Sequence, residues 1–116
     1  MDCDESLCVD IDKLLDFLRY NTYSIKKNTY NKKTKKRISA ILITNVFGNL
    51  INLNKLVKVC KLKNIKLIED AAESLGSYYS NKNRHSGTIG DYGTLSFNVN
   101  KIFTTGAGGA ILFKKI

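Results

Sequence analysis

Two short β-branched apolar runs, with one helical repeat between them, constrain this chain more than anything else in it. Residues 38 to 44 read ISAILIT and residues 65 to 68 read IKLI. Each has the length and composition of a strand buried on both faces. Between them Leu53, Leu56, Val57 and Cys60 recur at helical spacing, while Lys55, Lys58, Lys61 and Lys63 occupy the other side. Strand, helix of about 12 residues and strand is the pattern of a right-handed βαβ unit in a parallel sheet. The fold class that follows is α/β.

The remaining segments extend that unit. Ile11, Leu14, Leu15 and Leu18 fall on one face of a helix over residues 11 to 20, with Asp10 or Asp12 near its N-cap. Residues 21 to 37 break the pattern and read as a basic exposed loop or short hairpin. Residues 76 to 93 are rich in Gly, Ser and Asn and read as largely loop. Two more strand candidates follow, at 94 to 98 and 110 to 113, separated by the glycine-rich TTGAGG. In open sheets of this class, ligands sit beyond the carboxyl ends of the strands. Asp70 and Asn98 each lie just past such an end, so the polar residues after each strand can converge on one crevice.

Composition excludes several other classes. A chain of 116 residues with 43% hydrophobic content suits one small globular domain and not a disordered segment. No apolar run approaches the ~20 residues of a membrane span. The start, Met1-Asp2-Cys3-Asp4-Glu5, is acidic and unlike a secretory signal, which makes the cytoplasm the expected location. Three cysteines without a CxxC pair, and a single histidine, point to reduced thiols and to no metal site.

The net charge of +9 is local: residues 26 to 37 hold seven of the 19 basic residues, leaving 12 against 10 acidic ones elsewhere. Such a run either tracks phosphates or is simply a solvated loop. With few aromatics interleaved, the second reading is preferred, and neither nucleic acid nor membrane is expected as a partner.

Three features carry chemistry. Asp70 follows the run IKLI directly, where a carboxylate either caps the next element or pairs with a buried cation such as a protonated pyridine nitrogen. Lys101 follows the stretch TLSFN. A lysine there is either a surface residue or, when desolvated, a nucleophilic amine able to form a Schiff base. Ser96, with Thr104, Thr105 and the glycines from 106 to 109, offers hydroxyls and bare backbone that suit either a phosphate or a structural turn.

Taken in order, IEDAAESLGSYY at 68 to 79 and SGTIGDYGTLSFNVNKIFTTGAGGAILF at 86 to 113 resemble the DegT/DnrJ/StrS family of sugar aminotransferases. VFGN at 46 to 49 and DCDESLCVDIDKLL near the start extend the likeness across nearly the whole chain. The resemblance implies the aspartate-aminotransferase-like fold type I, here a partial three-layer α/β/α large domain with a mainly parallel sheet. Residues 1 to 116 are then an internal piece of that domain, with the phosphate-loop segment and the small domain lying outside it.

It also implies pyridoxal 5′-phosphate as cofactor. Lys101 matches the lysine that bonds the cofactor and moves a proton during amine transfer. Asp70 matches the acid on the pyridine nitrogen, Ser96 a hydroxyl on the phosphate, and Glu73 a residue near the ring hydroxyl. The implied reaction takes an amine from an amino acid such as glutamate to a nucleotide-linked 4-keto-6-deoxy sugar, for surface polysaccharide or glycan biosynthesis, in a homodimer. Three other readings compete: a related sugar dehydratase, which typically carries histidine where Lys101 stands; a remnant of the fold without turnover; and a basic nucleic-acid-binding module built on residues 26 to 37.

Overall fold

The computed structural model describes residues 2 to 80 and 83 to 114. Helix α1 (Ile11–Tyr20) starts at Asp10, whose side chain accepts the Lys13 N–H at 3.0 Å. It buries Leu14 and Leu18. The basic stretch then folds as an antiparallel hairpin of β1 (Thr22–Ile25) and β2 (Asn28–Asn31). Strand β3 (Ala40–Thr44), helix α2 (Asn54–Leu62) and strand β4 (Lys66–Asp70) form the βαβ crossover expected from the spacing. Strands β5 (Tyr92–Ser96) and β6 (Gly109–Phe113) complete a sheet of order β3-β4-β5-β6. The first three strands run parallel and β6 returns antiparallel. The mainly parallel α/β sheet is therefore the observed architecture.

The core lies on one face of this sheet. Ile43, Leu67 and Glu69 point into it, and α2 closes over them with Leu56 and Cys60. Side chains alternate along a strand, so Leu42, Tyr92, Ile111 and Phe113 emerge on the opposite face, where all four are exposed. The runs ISAILIT and IKLI predict strands buried on both faces. The structure corrects this: the described residues supply the sheet and one helical layer, and nothing among them covers the second face.

Tight packing fixes the β4–β5 side. A Cβ on Gly93 would overlap the carbonyl oxygen of Gly87, and one on Gly90 would press on the Leu67 carbonyl. The loop between the strands lies directly against the sheet there, and only glycine permits that approach.

Candidate active site

The alternation along β4 decides which acid faces which way. Glu69 points into the core and is fully buried. It accepts the Tyr79 hydroxyl at 2.8 Å and the backbone N–H groups of Gly87, Ile89 and Gly90 at 3.1, 2.5 and 2.6 Å. Burial, and secondarily the bond to Glu69, raise the Tyr79 phenol above its ordinary range. Asp70, one residue on, turns to the opposite face at the carboxyl end of the strand.

Asp70 pairs in register with Thr94, and Ser96 stands two residues farther along that face of β5. The Asp70 Oδ1 accepts the Thr94 hydroxyl at 3.2 Å and the Ala72 N–H at 3.1 Å. The segment after it is a series of turns rather than a helix. Asp70 thus secures the chain's exit from the strand, and its other carboxylate oxygen has no protein hydrogen bond among the described residues.

Lys101 lies beyond β5, at the same end of the sheet. Its side chain is only 17% exposed, and Nζ stands 3.7 Å from the Glu73 Oε1. The other Glu73 oxygen accepts the Phe47 N–H at 3.4 Å. Phe47 holds a left-handed backbone (φ 53°) ahead of Gly48 (φ 84°), whose carbonyl accepts the Ser77 hydroxyl. A cavity of about 400 Å³ opens between these segments, lined by Phe47, Glu73, Ser96, Asn100, Lys101 and Ile102 among others.

Of the sequence-predicted residues, Lys101, Glu73 and Ser96 share this cavity, and Asp70 sits on the adjoining sheet face without lining it. The 104 to 109 turn does not reach it. Thr104 spends its hydroxyl on the Phe97 carbonyl and Thr105 on the Ala107 carbonyl. The VFGN turn is legible in the sequence as part of the family likeness but without a role at the site, and the Glu69 anchor is not singled out there. Gly48 after an aromatic residue was the available signal for the first. The second left none, because its backbone donors carry no side-chain identity.

An amine with its carboxylate partner and a hydroxyl at the end of β5 share an open cavity, with a second carboxylate, Asp70, on the adjoining sheet face; groups of these kinds fit an aldehyde cofactor with an anionic tail.

The comparisons with known proteins give the family of the chain. The putative pyridoxal phosphate-dependent aminotransferase EpsN of Bacillus subtilis is 42% identical over 73 residues, which is 63% of this chain and 18% of that protein. The GDP-perosamine synthase of Escherichia coli O157:H7 is 34% identical over 91 residues, covering 78% of this chain and 24% of the enzyme. Among solved structures, the E. coli GDP-4-keto-6-deoxy-D-mannose-3-dehydratase with bound hydrated PLP superposes with a TM-score of 0.73 at 28% identity, over 99% of this chain and 25% of the other. The chain thus spans about a fifth to a quarter of the length of these relatives. The family model described as the DegT/DnrJ/EryC1/StrS aminotransferase family matches residues 6–115, and the chain belongs to that family.

Proposed function

We propose that this segment carries the cofactor lysine of a pyridoxal-phosphate-dependent aminotransferase. Its substrate would be a nucleotide-linked 4-keto-6-deoxy sugar and its donor an amino acid such as glutamate, in surface polysaccharide or glycan biosynthesis. The observation that carries the reading is the Lys101 amine, 17% exposed and held toward Glu73 in a cavity at the carboxyl end of the sheet. The names of the relatives support the substrate class.

When bound, pyridoxal phosphate supplies an electron sink for moving an amine between two carbon centres. The protein's part is positional and electrostatic. Lys101 would supply the amine that holds the cofactor and would carry a proton at the reacting carbon. Asp70 would hold a proton on the pyridine nitrogen of the bound cofactor, so its loss would lower rate more than affinity. Ser96 would donate to the phosphate, and Glu73 holds the Lys101 amine toward the cavity. The full-length form is proposed to be a cytoplasmic homodimer; among the described residues no helix is long and apolar enough to cross a membrane.

A dehydratase remains the second reading, because a solved dehydratase matches nearly the whole chain. The lysine at position 101, where the resemblance places histidine in dehydratases, favours amine transfer.

The test is covalent trapping, which needs no turnover. Incubation with pyridoxal phosphate followed by borohydride should label Lys101, identified by peptide mass, and Lys101→Ala should abolish that label. Equal labelling of the surface lysines, with no preference for position 101, would overturn the assignment.

A further inference from the structure

The hairpin β1–β2 turns two unlike faces to its surroundings. Thr22 and Thr29 are buried on the inner face, where the Thr29 hydroxyl donates to the Lys63 carbonyl at 2.7 Å. Cross-strand partners share a face, so Tyr23, Tyr30 and Ile25 point outward. Tyr23 and Tyr30 stack with ring centroids 5.6 Å apart, and the Lys35 ammonium lies 5.7 Å from the Tyr23 ring. Ile25 is 51% exposed at the tip, beside the Lys26-Lys27 turn.

The tip also abuts the end of α2, where Asn64 Nδ2 donates to Asn28 Oδ1 at 3.3 Å. There Leu62 is 85% exposed after Lys61, while the Lys63 amine turns inward and donates to the Thr22 hydroxyl at 3.1 Å. Ile25 and Leu62 are thus two exposed aliphatic side chains near the junction of the hairpin with α2, each next to lysines in the chain. Among the described residues, none of the seven basic side chains at 26 to 37 has a carboxylate within 4 Å.

We propose that this face docks peripherally on an anionic phospholipid surface. Unpaired lysines are drawn to the negative potential of such a leaflet. Ile25 and Leu62 gain by entering the headgroup boundary, and outward tyrosines suit the same depth. The sequence reading set membranes aside for want of a spanning run, but interfacial docking needs none. A nucleic acid fits the same charge less well. Bases need free aromatic faces, whereas Tyr23 and Tyr30 are stacked on each other, and exposed aliphatics add nothing on a phosphate backbone. The proposal stands apart from the aminotransferase reading, since no residue of the Lys101 cavity takes part.

Co-sedimentation of the chain with phosphatidylcholine vesicles, with and without about 30% phosphatidylglycerol, tests it. Binding is expected only to the anionic vesicles, weakening as salt rises from about 0.05 to about 0.5 M. Lys26→Glu with Lys27→Glu should weaken it about ten-fold or more with an unchanged far-ultraviolet dichroism spectrum. Ile25→Ser with Leu62→Ser, at constant charge, should weaken it several-fold. No pelleting with anionic vesicles, or equal pelleting with neutral ones, overturns the proposal. So does wild-type binding by the Ile25→Ser/Leu62→Ser chain, which would leave only a polycation effect. Release from vesicles by a stoichiometric amount of single-stranded RNA would assign the surface to nucleic acid instead.

Discussion

Glu69 and Glu73 are four residues apart and do opposite kinds of work. Glu69 is fully buried and takes four donors, three of them backbone N–H groups. Glu69→Gln would turn an amide donor toward some of those N–H groups and orphan them, at about 1–3 kcal/mol for each buried group. Glu73 is 41% exposed, and its pairing with Lys101 is worth no more than about 1 kcal/mol. Urea denaturation should therefore show a large loss for Glu69→Gln and a small one for Glu73→Gln, and the reverse order would refute the assigned roles.

Gly93→Ala belongs with the first class. Its new methyl would meet the Gly87 carbonyl, in a segment that Glu69 prevents from retreating. A loss of about 1–3 kcal/mol is expected on the same assay. The motif around position 70 made Asp70 and Glu73 legible in sequence. Glu69 was not, because its backbone partners lie 18 to 21 residues downstream in a glycine-rich loop whose amides look alike in any sequence.

At the scale of elements, periodicity placed both helices and the βαβ unit, and the choice between Asp10 and Asp12 fell to Asp10 once its bond to the Lys13 N–H was seen. Strand pairing was less legible. Nothing in GAILF distinguishes the antiparallel return of β6 from a fourth parallel strand, since direction is set by the short 97 to 108 connection and not by composition. Exposure of the outer sheet face was likewise invisible: a run such as ISAILIT records what the strand is built to bury, not whether the covering layer is within reach. For the hairpin, the alternation of buried Thr22 and Thr29 with outward tyrosines explains why a polar, basic stretch folds at all. Thr29→Val should leave the Lys63 carbonyl without that donor and cost about 1–2 kcal/mol, while Thr29→Ser keeps most of it. Thermal melts of the two variants separate these outcomes, and equal destabilisation would show that the hydrogen bond is not what docks the hairpin.

For the molecule as a whole, the alkaline side is where folding and ionisation oppose each other. Burial, and secondarily the Asp91 charge, push the Cys60 thiol up from its ordinary 9.0 to about 11, and burial with Glu69 raises the Tyr79 phenol as well. Both groups are acids that the fold keeps protonated, so the unfolded chain releases their protons first. By linkage, their contribution is complete below pH 9, falls as pH rises, and for Cys60 is spent by about pH 11. The urea midpoint should therefore be flat through neutral pH and decline above 9, with a shallower decline in Cys60→Ala even though that variant starts lower. Alkylation reads the same burial kinetically. Cys3 is exposed while Cys8 and Cys60 are buried, so at about pH 8 iodoacetamide should label Cys3 at the rate of a free thiol, and the other two only as fast as the chain opens. Rapid labelling of Cys60 in folded protein would mean that α2 does not close over β4 as described, and the sheet that sets Asp70 beside Thr94 would lose its support.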